Sequence, residues 1–140
     1  MSKTRLLLSL AVIVLTGLLL VTSCFSQGQV SAYYDAGAED FSVSAEQMAQ
    51  YVFYRFDTSA AGRAFILPSA ADIISQIDSP TVGTIFLIAV TAEGANQVVV
   101  TGGMGVVIKP SAASVTGNTT QNLYFVVMNT GSGTQAITVY

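Results

Sequence analysis

Residues 84–101 read TIFLIAVTAEGANQVVVT, in which two runs of β-branched and aliphatic residues flank the turn residues EGAN. Such residues suit a pleated, half-buried strand, and a short polar connection between two strands is typical of antiparallel neighbours. Similar runs recur at short intervals up to the C-terminus. They are residues 51–56, 106–109, 114–116, 122–128 and 134–140. Because no pattern of long helices separates them, the sequence predicts an all-β antiparallel sandwich.

One or two short helices are predicted from capping signals. Ser44 stands three residues before Gln47, which is the spacing of a capping box, and the helix is expected to run through residue 50. Ser69 is the expected cap of a second helix, whose isoleucines share one face and are expected to close one end of the sandwich. These isoleucines are Ile73, Ile74 and Ile77.

The chain begins with a segment that is typical of export signals. Lys3 and Arg5 precede the apolar run LLLSLAVIVLTGLLLV at residues 6–21. A charged start followed by an apolar stretch is the pattern of a signal sequence. Residues 1–24 are therefore predicted to form a hydrophobic signal peptide or membrane-anchor helix. The rest of the chain is predicted to be exported, and to be either membrane-anchored or extracellular.

Three fates of this N-terminal segment stay open. Cys24 follows the residues VTS, which resembles the bacterial lipobox, and by that resemblance Cys24 would be lipidated and would anchor the protein. Cys24 and Ser26 also have the small-residue spacing of an ordinary cleavage site. Uncleaved, the apolar run is close to the roughly 17–25 residues that span a bilayer.

The exported part divides into a linker or arm at residues 25–43 and a β-sandwich domain at residues 44–140. The first of these contains Gly, Ser and Gln and shows no sustained hydrophobic period. Its two adjacent tyrosines, Tyr33 and Tyr34, either dock on a neighbouring subunit or cover the base of their own domain.

Two arginines are further candidates for a subunit interface. Arg55 and Arg63 flank a predicted loop of small residues. Because arginine is enriched in interface cores, they could pair with an acid across a subunit boundary. The alternative is a pair with Asp57 of the same chain.

The composition excludes several classes of function. Hydrophobic residues make up 51% of the chain and charged residues 9%, against about 25% charged residues in an ordinary soluble domain. Without Lys3 and Arg5, three basic residues stand against eight acidic ones, which argues against a nucleic-acid partner. With no His and one Cys, the sequence offers no imidazole base, no multi-thiolate zinc site and no intrachain disulfide.

No catalytic, cofactor-binding or metal-ligating residue and no cofactor is predicted. The acids lie mostly in loops and at helix ends, where capping and turn chemistry explain them. Asp35, Glu39 and Asp40 lack the dense alternation of a committed calcium loop, so a solvated acidic segment is expected there. The glycine-rich residues 101–105 lack the Gly-Lys-Ser/Thr of a phosphate loop, so a tight turn or bulge is expected.

The order of several short motifs across residues 44–140 resembles a known family. The motifs are a strand ending in Arg55, a small-residue loop to Arg63, LPSAA at 67–71 with the isoleucines after it, VG at 82–83, VVVT at 98–101, GV at 105–106 and AITVY at 136–140. Together they resemble the jelly-roll-like C-terminal head domains of phage and giant-virus fibre and other virion proteins, including collagen-repeat chains. The resemblance implies a jelly-roll-like sandwich with a structural role on a virion surface and a trimeric assembly.

The expected function is therefore that of a non-enzymatic structural module, displayed on a virion or membrane surface and self-associating through its β-sandwich. Its predicted partners are copies of itself, with a trimer favoured, and a membrane through the N-terminal segment. The alternative is a bacterial surface lipoprotein that acts as an adhesin or glycan-binding module. Tyr124 and Tyr140 are the candidate sugar contacts, although both fit strand packing and are expected in the core.

Overall fold

The computed structural model describes residues 32–140, which form one compact unit. Ten strands and two short helices make up this part of the chain. The strands are β1 (Ala32–Gly37), β2 (Phe41–Ser42), β3 (Tyr51–Asp57), β4 (Arg63–Ile66), β5 (Ile85–Glu93), β6 (Val98–Thr101), β7 (Val106–Ile108), β8 (Ser114–Val115), β9 (Thr119–Asn129) and β10 (Ala136–Val139). The helices are α1 (Ala45–Gln50) and α2 (Ala70–Ser75), and a 3₁₀ turn covers Pro110–Ala112.

The strands form a six-stranded sheet in the order β1-β3-β5-β9-β10-β7 and a four-stranded sheet in the order β2-β4-β6-β8. From β1 to β9 each strand belongs to the sheet opposite the one before it. Neighbours within the first half of each sheet are therefore two strands apart in the sequence, and they run in the same direction. The parallel pairs are β1–β3, β3–β5, β2–β4, β4–β6 and β7–β10, whereas β5–β9, β9–β10 and β6–β8 are antiparallel.

The prediction of an all-β protein with one or two short helices is confirmed, and the chain has the two sheets that a sandwich requires. The prediction of antiparallel pairing is wrong for five of the eight strand pairs. The physical reason is visible at residues 93–96, where the EGAN turn leads from β5 into β6 of the opposite sheet instead of closing a hairpin. A short polar connection has the same appearance in the sequence whether it closes a hairpin or crosses between sheets.

The core lies between the inner faces of the two sheets. Aromatic rings join the sheets directly: the Phe65 ring centroid on β4 lies 5.0 Å from that of Tyr54 and 5.5 Å from that of Phe56, both on β3. Each large side chain that leaves water in this way contributes about 1.5–3 kcal/mol. The other buried hydrophobic strand residues are Ile88, Val90, Val98, Val100, Val115, Leu123, Phe125, Val127, Ile137 and Val139, with Ala92.

Both predicted helices are present and begin at the predicted caps. The Ser44 hydroxyl accepts the Gln47 amide at 3.1 Å, and the Gln47 side chain accepts the Ser44 amide at 2.9 Å, which is a complete capping box. Ser69 caps α2 by accepting the Asp72 amide at 3.2 Å. The helices pack against each other, and α2 also contacts β10.

The folded unit begins earlier in the chain than the sequence predicts. Part of the predicted linker or arm at residues 25–43 forms β1, which pairs with β3, and β2, which pairs with β4. Asp35 and Gly37 make the run AYYDAG look like a loop, and its register shifts twice against β3. Its pairing partner lies about twenty residues further on, so a local pattern does not reveal the strand.

The predicted signal or anchor helix at residues 1–24, with Cys24, lies outside the described residues. In residues 32–140 each helix has six residues, and neither has the length and apolar character needed to cross a bilayer.

Candidate interaction surface

The six-stranded sheet turns one face to the core and the other away from it, and cross-strand pairing aligns the outward residues in rows. One row runs from Tyr33 through Phe53 and Ala89 to Asn122. The next joins Leu87 to Tyr124, which exchanges two backbone hydrogen bonds of 3.0 Å with Tyr140. A third consists of Ile85, Val126, Thr138 and Val107. We call this surface the outer face.

The outer face holds most of the large apolar side chains that the described residues expose. Ile85 is 64% exposed and Val107 is 54% exposed. Seven of the twelve exposed large hydrophobic residues of the described chain lie here: Tyr33, Ile85, Leu87, Val107, Tyr124, Met128 and Tyr140. Single exposed hydrophobic residues are normal, but a contiguous group on one sheet face is characteristic of an interaction surface.

The corresponding surface of the four-stranded sheet is different. Ala64 of β4 pairs with Val99 of β6, which pairs with Ser114 of β8, and Ile66 pairs with Thr101. Val99 and Ile66 are the two large hydrophobic residues exposed there, each at 39%. Small and polar side chains separate them from other apolar groups.

A charged cluster occupies one margin of the outer face. The Arg55 guanidinium on β3 donates from Nη1 to Asp35 on β1 at 3.0 Å, and from Nη2 to Glu93 on β5. The hydrogen bond from Arg55 lowers the pKa of Glu93, and the same bond raises the pKa of Arg55. The cluster ties three adjacent strands together and is open to solvent, so salt screens it.

The structure separates the predicted interface residues. Tyr33 and Arg55 lie on the outer face, where the Tyr33 ring stacks on Phe53 with centroids 5.6 Å apart. Tyr34 points to the other side of β1 and packs against the core, with its ring centroid 4.7 Å from that of Phe41. Tyr33 thus lies on the exposed side of β1, and Tyr34 covers its own domain.

Arg63 is bound within its own domain. It begins β4 in the four-stranded sheet, and its Nε donates to the backbone carbonyl of Asp57 at 3.1 Å. The Asp57 carboxylate accepts the Ser59 amide at 2.9 Å, and hydrogen bonding by Ser59 lowers the pKa of Asp57. Arg63 therefore contacts Asp57, as one of the two predicted alternatives has it, but it binds the backbone carbonyl of Asp57 and not the carboxylate.

The sequence predicts Tyr124 and Tyr140 in the core, and this prediction is wrong. Both residues lie on the outer face. Tyr124 is 47% exposed and Tyr140 is 46% exposed. The Lys109 ammonium lies 5.9 Å from the centroid of the Tyr140 ring, within the range of a cation–π contact. Residues 122–128 read NLYFVVM, so β9 is apolar on both of its faces and alternation alone does not tell which side is inward.

The remaining candidate segments have structural explanations. The glycine-rich residues 101–105 form the expected tight turn, in which Val106 donates to the Gly103 carbonyl at 3.1 Å and Gly105 has a φ of +76°. Asp40 accepts the Ala64 amide at 2.8 Å. Within residues 32–140, no three His, Cys, Asp or Glu side chains are grouped so that they could hold a metal ion.

Comparisons with protein-family models, with curated proteins and with solved structures find no match to this chain.

Proposed function

We propose that this protein is a non-enzymatic structural module that self-associates through its β-sandwich and is displayed outside the cytoplasm by its N-terminal segment. The observation that carries the proposal is the outer face of the six-stranded sheet. A monomer would leave seven large apolar side chains of one surface in water. Association with another copy removes that surface from solvent.

The low charge of the chain supports self-association. Charged residues make up 9% of the sequence and its formal net charge is −3. Net charge far from zero keeps proteins apart through repulsion. Copies of this chain repel each other weakly, so that apolar contact between them meets little electrostatic opposition.

The means of display is proposed from the sequence. Residues 1–24 would act as a signal peptide or membrane anchor, with Cys24 as the lipidated residue if the lipobox resemblance holds. The resemblance of residues 44–140 to jelly-roll-like fibre heads adds a virion surface as the place of display.

A non-enzymatic role agrees with the structural contacts that the acidic residues make. Asp35 and Glu93 bind Arg55, and Asp40 binds a backbone amide. Asp72 accepts the Ser69 hydroxyl at 2.6 Å at the start of α2. Carboxylates in such bonds stabilise strands and helix ends, and general acid–base work would require some of them to face a substrate cleft.

The test is the mass of the purified full chain in a mild detergent, measured by size-exclusion chromatography with light scattering over a range of concentrations. We expect a discrete oligomer whose population grows with concentration. A chain that stays monomeric at high micromolar concentration would contradict the proposal.

A glycan-binding module is a second candidate, and the position of Tyr124 and Tyr140 favours it. These neighbouring, half-exposed rings lie beside Asn122, so that apolar ring faces and hydrogen-bonding groups occur together. A glycan array with the full chain tests this candidate. Binding that is lost in Tyr124→Ala but kept in Val99→Ala, on the other sheet, would support it, and absence of binding by the wild-type chain would exclude the glycans tested.

A further inference from the structure

We propose that a second copy of this chain packs face to face on the outer face of the six-stranded sheet, about a two-fold axis, with Leu87 and Tyr124 near the centre. This inference rests on the proposed self-association and specifies the surface that carries it. Three properties of the described residues lead to it: the short or irregular edge strands, the size of the face and the distribution of charge around it.

The edges of both sheets are poorly suited to strand addition. β1 has two register shifts against β3, and Gly37 at its end has a φ of +67° with its amide bound to Asp35 at 3.0 Å. β7 has three residues and is followed closely by Pro110, which has no amide to donate. β2 and β8, the edges of the other sheet, have two residues each. Short and bulged edges are how sheets avoid edge-to-edge pairing.

The outer face approaches the size of a specific interface. Six strands at a spacing of about 4.8 Å make the sheet roughly 24 Å wide. β5 has nine residues, which at about 3.3 Å per residue correspond to a length of roughly 30 Å. Because β1, β10 and β7 are shorter, with six, four and three residues, the face covers roughly 600 Å², somewhat less than the ~800 Å² that each partner contributes to a standard protein–protein interface.

The centre of the face carries no charged side chain. Leu87 and Tyr124 pair on β5 and β9, the two middle strands, and their outward neighbours along these strands are Ile85, Ala89, Asn122 and Val126. Interface cores are depleted in charged residues and enriched in tyrosine. A sheet packing on a second sheet here would therefore not have to remove ions from water.

The charged groups lie at the periphery of the face. Asp35, Arg55 and Glu93 lie toward the ends of β1, β3 and β5, and Lys109 follows the edge strand β7. A second copy related by a two-fold axis would therefore cover the apolar centre and leave these groups at a polar rim. Self-complementary surfaces of this kind form closed dimers.

A lipid surface fits the same face less well. Segments that lie on membranes combine an apolar side with a border of several lysines or arginines. Here the border has Lys109 on one side and two carboxylates with one arginine on the other. The charge pattern therefore favours a second copy over a bilayer.

The experiment compares three variants of the full chain in a mild detergent by light scattering, with circular dichroism as the check on folding. Tyr124→Lys and Leu87→Lys each place a charge at the centre of the outer face. Val99→Lys is the matched control, because Val99 is an exposed hydrophobic residue on the outer surface of the four-stranded sheet. We expect a wild-type dimer, a dimer dissociation constant raised about thirtyfold or more by either central lysine, and no change in the control.

Each other outcome has a defined meaning. Dimers that persist in both central variants, or that dissociate in Val99→Lys, would place the contact elsewhere and overturn this inference while self-association stands. A wild-type trimer would overturn the two-fold packing in the same way. A wild-type monomer would contradict the proposed function itself. If neutral-lipid vesicles protect a Tyr124→Cys variant from maleimide labelling in a Cys24→Ser background while the chain stays monomeric, the face belongs to the bilayer and the inference fails.

Discussion

The outer surface of the six-stranded sheet exposes seven large hydrophobic side chains, whereas that of the four-stranded sheet exposes Ile66 and Val99 among small and polar residues. Both sheets bury their inner faces in the same core. Folding requires an apolar inner face and makes no such demand on an outer one. The difference between the two outer surfaces therefore points to a role for the six-stranded sheet beyond the folding of the single chain.

The largest expected effect is a difference in stability between substitutions on the two sides of β9. Phe125 is fully buried and Tyr124, its neighbour in sequence, lies on the outer face. Phe125→Ala is expected to lower the free energy of unfolding by about 3–5 kcal/mol through a core cavity. Tyr124→Ala is expected to lower it by about 1 kcal/mol or less, the range of a cross-strand surface contact.

Urea denaturation of the full chain at low protein concentration measures both values. Low concentration keeps subunit association from adding to the stability of the wild type. Equal losses in the two variants would mean that the outer face is part of the folding core, and the contrast between the two sheets would then lose its functional meaning.

A smaller effect is expected from a polar atom inside the sandwich. The Tyr54 hydroxyl is buried and has no hydrogen-bond partner among residues 32–140, and burial raises the pKa of Tyr54. An unsatisfied buried hydroxyl costs about 1–3 kcal/mol. Tyr54→Phe removes it with little change in shape and is expected to raise the free energy of unfolding by about 1 kcal/mol.

Tyr124→Phe is the control for this substitution, because its hydroxyl belongs to a half-exposed ring and its loss is expected to change stability little. Thermal unfolding of the two variants gives the comparison. A loss of stability in Tyr54→Phe would show that the hydroxyl is hydrogen-bonded in solution, for example to a buried water molecule.

The smallest effect is expected at the charged margin of the outer face. Because the pKa of Glu93 is lower in the folded chain than its ordinary value of 4.5, its bond with Arg55 stabilises the folded state above that pH. This contribution is lost as the pH falls through the lower folded value. Glu93→Gln is therefore expected to lower the melting temperature slightly at neutral pH and to flatten its decline below pH 4.5.

Melting curves between pH 3 and pH 7, at low and high salt, test this expectation. Glu39→Gln is the matched control, since Glu39 lies in the exposed turn after β1 and forms no ion pair within the described residues. If the melting temperature of Glu93→Gln falls with pH as steeply as that of the wild type, the Arg55 cluster is not a source of acid sensitivity.

Local patterns were sufficient to predict most of the secondary structure. The capping residues Ser44 and Ser69 marked both helices, because a hydroxyl three residues before an amide satisfies a helix start wherever the helix lies. The β-branched run in β5 marked a strand for a similarly local reason. β1 was missed because its polar residues become strand-like only when β3 pairs with them.

The candidate surface was predicted only in part. Tyr33 and Arg55 were chosen as interface residues, and both lie on the outer face. Tyr124 and Tyr140 were expected in the core, because strands that are apolar on both sides give no sign of which side is inward. The exposed row that they share with Leu87 follows from pairing between β5, β9 and β10.

By itself the sequence determined the positions of the helices and most strands, and the lack of imidazole and paired-thiol chemistry; the export role of residues 1–24 stays a prediction. These depend on backbone preferences and on side chains that are either present or absent. The tertiary structure decided the direction of the strands and the side of β9 that faces the core. It also brought Arg55 together with Asp35 and Glu93, which are 20 and 38 residues away from it in the sequence. Such features depend on which distant segments pair, and that choice is made by the packing of the whole sandwich and not by any one segment.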